Sequence, residues 1–187
     1  MEPDNLTKEE KINLLKLARQ AIEKELFGKS DIKLNTGFPI YQEQRAAFVT
    51  LHKKGQLKGC IGHIIAQDTL INTIKDMAYS AAFRDPRFSP LSKSEYNDID
   101  IEISVLTPLK KVKSYEDVKV GVHGIIVSKG FYKGVLLPQV ATEQNWDAET
   151  FVKHCCLKAG LPSDEYKREV DIEIFAANVF GEKNIDE

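Results

Sequence analysis

Two stretches of this chain carry the same pattern, and that repetition limits the folds open to it. "AAFVTLHKKGQLKGCIGHI", residues 46–64, is two apolar runs around a glycine turn, the signature of a hairpin. "GVHGIIVSKGFYKGVLLPQV", residues 121–140, reads the same way. Both contain K-G-x-x-K-G, from Lys54 to Gly59 and from Lys129 to Gly134. A segment of helical period follows each hairpin. The first starts at Asp68 as N-cap and turns Leu70, Ile71, Ile74, Met77, Ala78 and Ala81 inward. The second starts at Asp147, turns Phe151, Val152, Cys155 and Ala159 inward, and stops at Gly160. Each unit closes on an alternating strand, "DIDIEISVL" from Asp98 and "DIEIFAANVF" from Asp171. The hairpins are offset by 75 positions and the closing strands by 73.

A period of this length is too long for a solenoid. The pattern predicts an α+β fold, with a mainly antiparallel sheet built from two related hairpin–helix–strand halves at about 45–106 and 121–180. One continuous sheet shared by both halves is an allowed form. An extra N-terminal helix precedes the repeat. Thr7 and Glu10 form its capping box, and Leu14, Leu15, Ala18, Ala21, Ile22 and Leu26 follow the 3.6-residue period. The 187 residues form a single domain on this reading.

Charge and composition set aside several function classes. The formal net charge is −2, so nucleic acid and anionic membranes are not expected as partners. No apolar run approaches the ~20 residues of a membrane span. The polar opening "MEPDNLTKEEK" is unlike a signal peptide, and three cysteines suggest free thiols in a reducing cytoplasm.

When the hairpins are overlaid, Cys60 falls on Val135 and Gly62 on Leu137. The architecture therefore demands neither the cysteine nor the glycine. In a strand, Lys58, Cys60 and Gly62 share one face. A lysine there favours thiolate, Gly62 leaves room for a ligand, and Gly59 marks a close approach. The bland alternative is a cysteine packed as a small hydrophobe. His123, in "GVHG", is the histidine best placed to meet Cys60 across the junction of the halves; its bland reading is a half-buried strand histidine bonded to a backbone carbonyl. In "AAFRDPRFSP", Arg84 and Arg87 flank Asp85, and they either hold an anion or pair internally. Glu102 shares a face with Ser104 and Leu106, as a solvated strand residue or a carboxylate lining a cleft. Gln139 either bonds a ligand or ties down its loop, and Trp146 staples the second helix. "HCC", 154–156, cannot chelate, because adjacent helical residues diverge by about 100°. No metal motif, P-loop or dinucleotide fingerprint is present.

Six motifs in order, "LKGCIG", "AAFRDPRFSPLSKSEY", "IEISVL", "GVHGIIV", "GVLLPQVATEQNW" and "CLKAGLP", resemble the family of the human AMME-syndrome candidate protein, called AmmeMemoRadiSam system protein A in prokaryotes. Lys58 departs from the arginine typical of that family and gives up its planar fork. The resemblance implies two related halves with a cleft between them and a cytosolic protein. It also implies association with a Memo-like protein and a radical S-adenosylmethionine protein. It names no cofactor and no settled activity. Two readings follow from the residues. One is a ligand-binding cleft centred on Cys60 and taking a small anion, lined by Lys58, Gly59, Gly62, Arg84, Arg87, Glu102 and Gln139. The other is a thiol-dependent enzyme with Cys60 as nucleophile and His123 as base.

Overall fold

The computed structural model describes residues 6–28 and 37–185; the first five residues of the polar opening stretch lie outside them. In chain order the elements are α1 (Lys8–Phe27), β1 (Ala47–Lys53), β2 (Gln56–Gly62), α2 (Leu70–Phe83), β3 (Ile99–Leu106), β4 (Lys110–Val112), β5 (Gly124–Lys129), β6 (Tyr132–Leu136), α3 (Pro138–Glu143), α4 (Ala148–Lys158), β7 (Asp171–Phe175) and β8 (Ala177–Gly181), with short 3-10 turns between. The fold is α+β. The described residues divide into an N-terminal unit, 6–28 and 37–106 with 178–185, and a C-terminal unit, 107–177.

The helix signals act as read. Thr7 and Glu10 close the capping box of α1, and Gly28 ends the helix in the left-handed conformation. Asp147 caps α4 through Thr150 N–H at 2.7 Å. The start of α2 differs by one residue. Thr69 is its N-cap, and Asp68 instead accepts the Thr69 amide at 2.6 Å.

The strands form two sheets rather than one continuous surface. The N-terminal sheet has the order β2-β1-β3-β8 and the C-terminal sheet β4-β7-β5-β6. Written from its hairpin outward, the second is β6-β5-β7-β4. In each unit an antiparallel hairpin pairs through its first strand with the closing strand, and a fourth strand follows. That fourth strand is β8 in the N-terminal sheet and β4 in the C-terminal one, so each closing strand's next segment enters the other sheet.

The helices cover one face of each sheet because the alternation puts apolar residues there. Val49, Leu51, Ile101 and Ile103 bury with α1 and α2. Ile125, Val127, Ile172 and Ile174 bury with α4. Two glycines let each helix come down onto its hairpin. A Cβ on Gly59 would stand 2.0 Å from the Ala81 carbonyl oxygen of α2. One on Gly134 would stand 2.5 Å from the Cys155 carbonyl oxygen and 2.6 Å from the Ala159 nitrogen of α4. Both distances are to backbone, which cannot swing away. These are the second glycines of the two K-G-x-x-K-G segments.

The closing strands are in a different register from the one suggested by their first aspartates. Thr50 pairs with Glu102 and Ile126 with Glu173. The matching segments are D-I-E-I at 100–103 and at 171–174, an offset of 71. An E-Y pair precedes each, Glu95-Tyr96 and Glu165-Tyr166. Their glutamates do equivalent work: Glu95 receives Lys53 Nζ at 2.7 Å, and Glu165 receives Lys129. Each ties the end of a hairpin strand to the turn ahead of the closing strand.

Candidate functional site

Cys60 lies on β2, the edge strand of the N-terminal sheet, where the outward N–H and C=O have no neighbouring strand. The loop after α2 fills that role. Asp85 Oδ2 accepts the Cys60 amide at 2.9 Å, and the Cys60 carbonyl accepts Arg87 Nη2 at 3.0 Å. Arg87 forks onto the same carboxylate, Nε to Oδ1 at 2.9 Å and Nη2 to Oδ2 at 2.7 Å. Asp85 is 5% exposed, and Pro86 holds it out of the helix that ends at Phe83. The Arg87 guanidinium and the Cys60 and Arg87 amides hold its carboxyl far below the usual carboxylate range. The Arg87 side chain remains 56% exposed, and its pKa is raised, chiefly by Asp85 with Cys60 contributing. Nη1 has no hydrogen-bond partner among the described residues, and the guanidinium lies 5.4 Å over the Phe88 ring.

The thiol faces away from the helices. Thr50, paired with Cys60 across the hairpin, donates its hydroxyl to Sγ at 3.2 Å. Glu102 is the next residue along this row, opposite Thr50 on β3. It is half-buried, and its carboxylate has no hydrogen-bond or ion-pair partner among the described residues. Sulfur, hydroxyl and carboxylate thus stand in one half-buried row across three strands, with the Arg87 guanidinium at its outer edge. The hydroxyl and guanidinium are donors toward negative charge, on sulfur or on a ligand.

Three readings of the sequence change here. A bulge between Leu51/Gly59 and His52/Leu57 makes Lys58 an extra residue, so it does not alternate with Cys60. Its ammonium binds Ser89 O at 3.0 Å and Ser89 Oγ at 3.1 Å and lies 3.4 Å from Glu95, only 11% exposed. The cation beside Cys60 is Arg87 instead. Gly62 leaves no open space, because the Phe48 ring occupies the position of its missing Cβ at 2.3 Å. Gly59 meets helix backbone, not a ligand. Arg84 is exposed and lies 4.8 Å above the Tyr79 ring.

His123 belongs to the C-terminal unit and is buried. Its Nδ1 accepts the Lys119 amide at 3.1 Å, and its own amide donates to the Lys119 carbonyl at 2.9 Å. With Nδ1 accepting, the ring proton sits on Nε2. The histidine closes the turn ahead of β5: it is buried rather than half-buried, lies outside the strand, and its Nδ1 accepts an amide where a bond to a carbonyl was expected. Gln139 is exposed near the start of α3, and its carbonyl accepts the Thr142 hydroxyl at 2.8 Å. Trp146 stacks on His154 at 3.8 Å. Cys155 and Cys156 are buried, and burial pushes the Cys155 thiol up to about 12. Among the described residues no group of three His, Cys, Asp or Glu is placed to hold a metal, and no helix is long and apolar enough to cross a membrane.

Thr50 escaped the sequence reading, although a lone hydroxyl in an otherwise apolar run, "AFVTL", was its signal. Asp85 was visible only as a partner for its arginines. Its hold on the backbone of β2 had no sequence signal, because edge-strand bonding depends on which strands pair.

The family model AMMECR1 matches residues 15–180. A protein of Methanothermobacter thermautotrophicus is 45% identical over 185 residues, covering 95% of this chain and 96% of its own. One of Methanocaldococcus jannaschii is 41% identical over 186 residues, covering 95% and 92%. The crystal structure of an uncharacterized protein from Pyrococcus horikoshii superposes with a TM-score of 0.74 at 37% identity, covering 92% of this chain and 91% of that one.

Proposed function

The chain belongs to the AMMECR1 family, and we propose that its N-terminal unit carries a binding site for a small anionic ligand centred on Cys60. In this reading the protein acts in the cytoplasm, with the Memo-like and radical S-adenosylmethionine proteins implied by the motif resemblance. The observation that carries the site is the clamp on Cys60. A buried aspartate fixes Arg87 against the Cys60 carbonyl while leaving more than half of that side chain in solvent. A guanidinium held in this way has lost its side-chain freedom before any ligand arrives. Its Nη1, which makes no hydrogen bond among the described residues, then supplies a donor, and the Thr50 hydroxyl supplies a second where it turns from Sγ to the ligand. Gln139 belongs to the other unit and is left out of this site.

The thiol-enzyme reading uses the same sulfur, and the Thr50 hydrogen bond favours it. His123 is poorly suited as base, since its Nδ1 already accepts a backbone amide, and Glu102 stands beyond Thr50 in the row, one strand further from the sulfur. One experiment tests both readings. The native protein is alkylated with iodoacetamide at several pH values, with and without added small anions, and the label is located by mass. Labelling of Cys60 that anions slow, and that Arg87→Gln makes insensitive to them, supports the anion site. Labelling only after unfolding ends both readings.

A further inference from the structure

The C-terminal unit holds a second concentration of positive charge, well outside the clamp around Cys60 in sequence. Lys110 and Lys113 come from β4 and the residue after it, and Lys119 from the turn that leads to β5. With His123, Asp117, Lys111, Val112 and Ile174 they line a recess of about 210 Å³. Lys111 is paired with Asp171. The ammonium groups of Lys110, Lys113 and Lys119 have no partner among the described residues, and Asp117 is the single acidic residue in the lining.

A chain of net charge −2 gains nothing in stability by gathering unpaired lysines around a concavity, because like charges repel. The arrangement becomes favourable when an anion fills it. The wall behind the lysines is fixed. Lys119 and His123 are joined by two bonds, amide to Nδ1 at 3.1 Å and amide to carbonyl at 2.9 Å. The buried imidazole therefore keeps its ring orientation, with Nδ1 engaged.

From this we propose that the recess beside His123 is a binding site for a compact phosphate-bearing molecule, such as a phosphate monoester or a pyrophosphate. The volume suits one or two phosphate groups. The lysines recognise them as point charges rather than by bidentate forks, so the site reads charge density more than shape. The site is independent of the one at Cys60: its residues lie in the other unit, and it stands if Cys60 proves inert.

The test is calorimetric titration of the full chain with inorganic pyrophosphate at low ionic strength. The expected result is one saturable site, at least tenfold weaker in Lys110→Gln/Lys119→Gln and within about threefold of the parent in Lys133→Gln/Lys158→Gln. Lys133 and Lys158 are exposed residues of the same unit outside the recess. Thermal melts confirm that both variants fold. Imidazole resonances of His123 should move during the titration, while those of His52 in the N-terminal unit stay still. Absence of saturation, equal weakening by both pairs of substitutions, or a motionless His123 overturns the proposal.

Discussion

The two sheets share a plan and differ in what they place at one position. Each has the order hairpin second strand, hairpin first strand, closing strand, fourth strand. Each hairpin lets its helix in over a glycine, and each is tied at its end by a lysine–glutamate pair. One residue past that glycine, the N-terminal sheet carries the row Cys60, Thr50, Glu102; the C-terminal sheet carries Val135, Ile126, Glu173. Ile126 is fully buried, whereas Cys60, Thr50 and Glu102 are all half-buried. Both rows end on a half-buried glutamate, but one copy of the plan carries valine and a buried isoleucine where the other keeps a thiol and a hydroxyl that packing alone does not ask for. We propose that both descend from one duplicated segment of about 45–106 and 121–180, within a single family domain.

The glycines give the harshest way to break this comparison. Gly59→Ala would put a methyl 2.0 Å from the Ala81 carbonyl oxygen, and Gly134→Ala would put one 2.5 Å from that of Cys155. Neither obstacle can rotate, so each helix must lift off its sheet. Each substitution should cost about 3 kcal/mol or more in chemical denaturation, with Gly59→Ala the worse. If either variant matched the parent, the glycines would not share one role.

The clamp has no counterpart on β6, so Asp85→Asn sharpens the contrast. It removes the charge that holds Arg87 and weakens the bond to the Cys60 amide. Arg87 is largely in solvent, so the loss falls short of that for a fully buried pair. A drop in Tm of about 5 °C is expected. Its pH dependence has a definite sign. The Asp85 carboxyl is depressed in the folded protein, so its stabilisation is complete above the unfolded value near ~3.9 and fades as pH falls toward the folded one. The gap in Tm between parent and variant should therefore be full at neutral pH and shrink below about pH 4. A gap constant with pH would mean that Asp85 acts by shape alone.

Thiol accessibility separates the two units next. Cys60 should alkylate in the native protein, while Cys155 and Cys156, both fully buried, stay unlabelled until the chain unfolds. Thr50→Val should change the Cys60 rate several-fold by removing the donor to sulfur. Equal labelling of all three cysteines would erase the distinction between a thiol on the sheet edge and two thiols in the helix core.

Much of this was legible in the sequence, for physical reasons. Helix starts and alternating strands are local, so Thr7, Asp147 and the isoleucines of β3 could be placed from neighbours alone. The paired K-G-x-x-K-G segments marked the hairpins, because a glycine under a helix and a glycine in a turn are both required. The face of Lys58 was not legible. It depends on a bulge, and a bulge is settled by register between strands rather than by either strand's composition. Gly62 misled for a related reason: whether a glycine leaves a gap depends on what lies beside it, here Phe48 across the hairpin. The closing-strand offset of 71 was written in D-I-E-I, but the nearer pair of aspartates at 98 and 171 concealed it.

The gentlest change makes the most pointed test, because it imports the residue of one sheet into the other. Cys60→Val places on β2 what β6 carries at Val135. Val135 sits at the matching place, paired with Ile126 as Cys60 is with Thr50. The Asp85 and Arg87 bonds run to the Cys60 backbone, which the substitution leaves in place. A half-buried position of this kind accepts a similar volume, so stability should change by less than about 1 kcal/mol. If the thiol serves only as packing, anion binding in the N-terminal unit should also survive unchanged. If the sulfur touches the ligand, binding should weaken while the denaturation midpoint stays where it was. That split between stability and binding is the outcome expected of a residue the fold does not need, whereas a large loss of stability would show that the fold itself selects cysteine there.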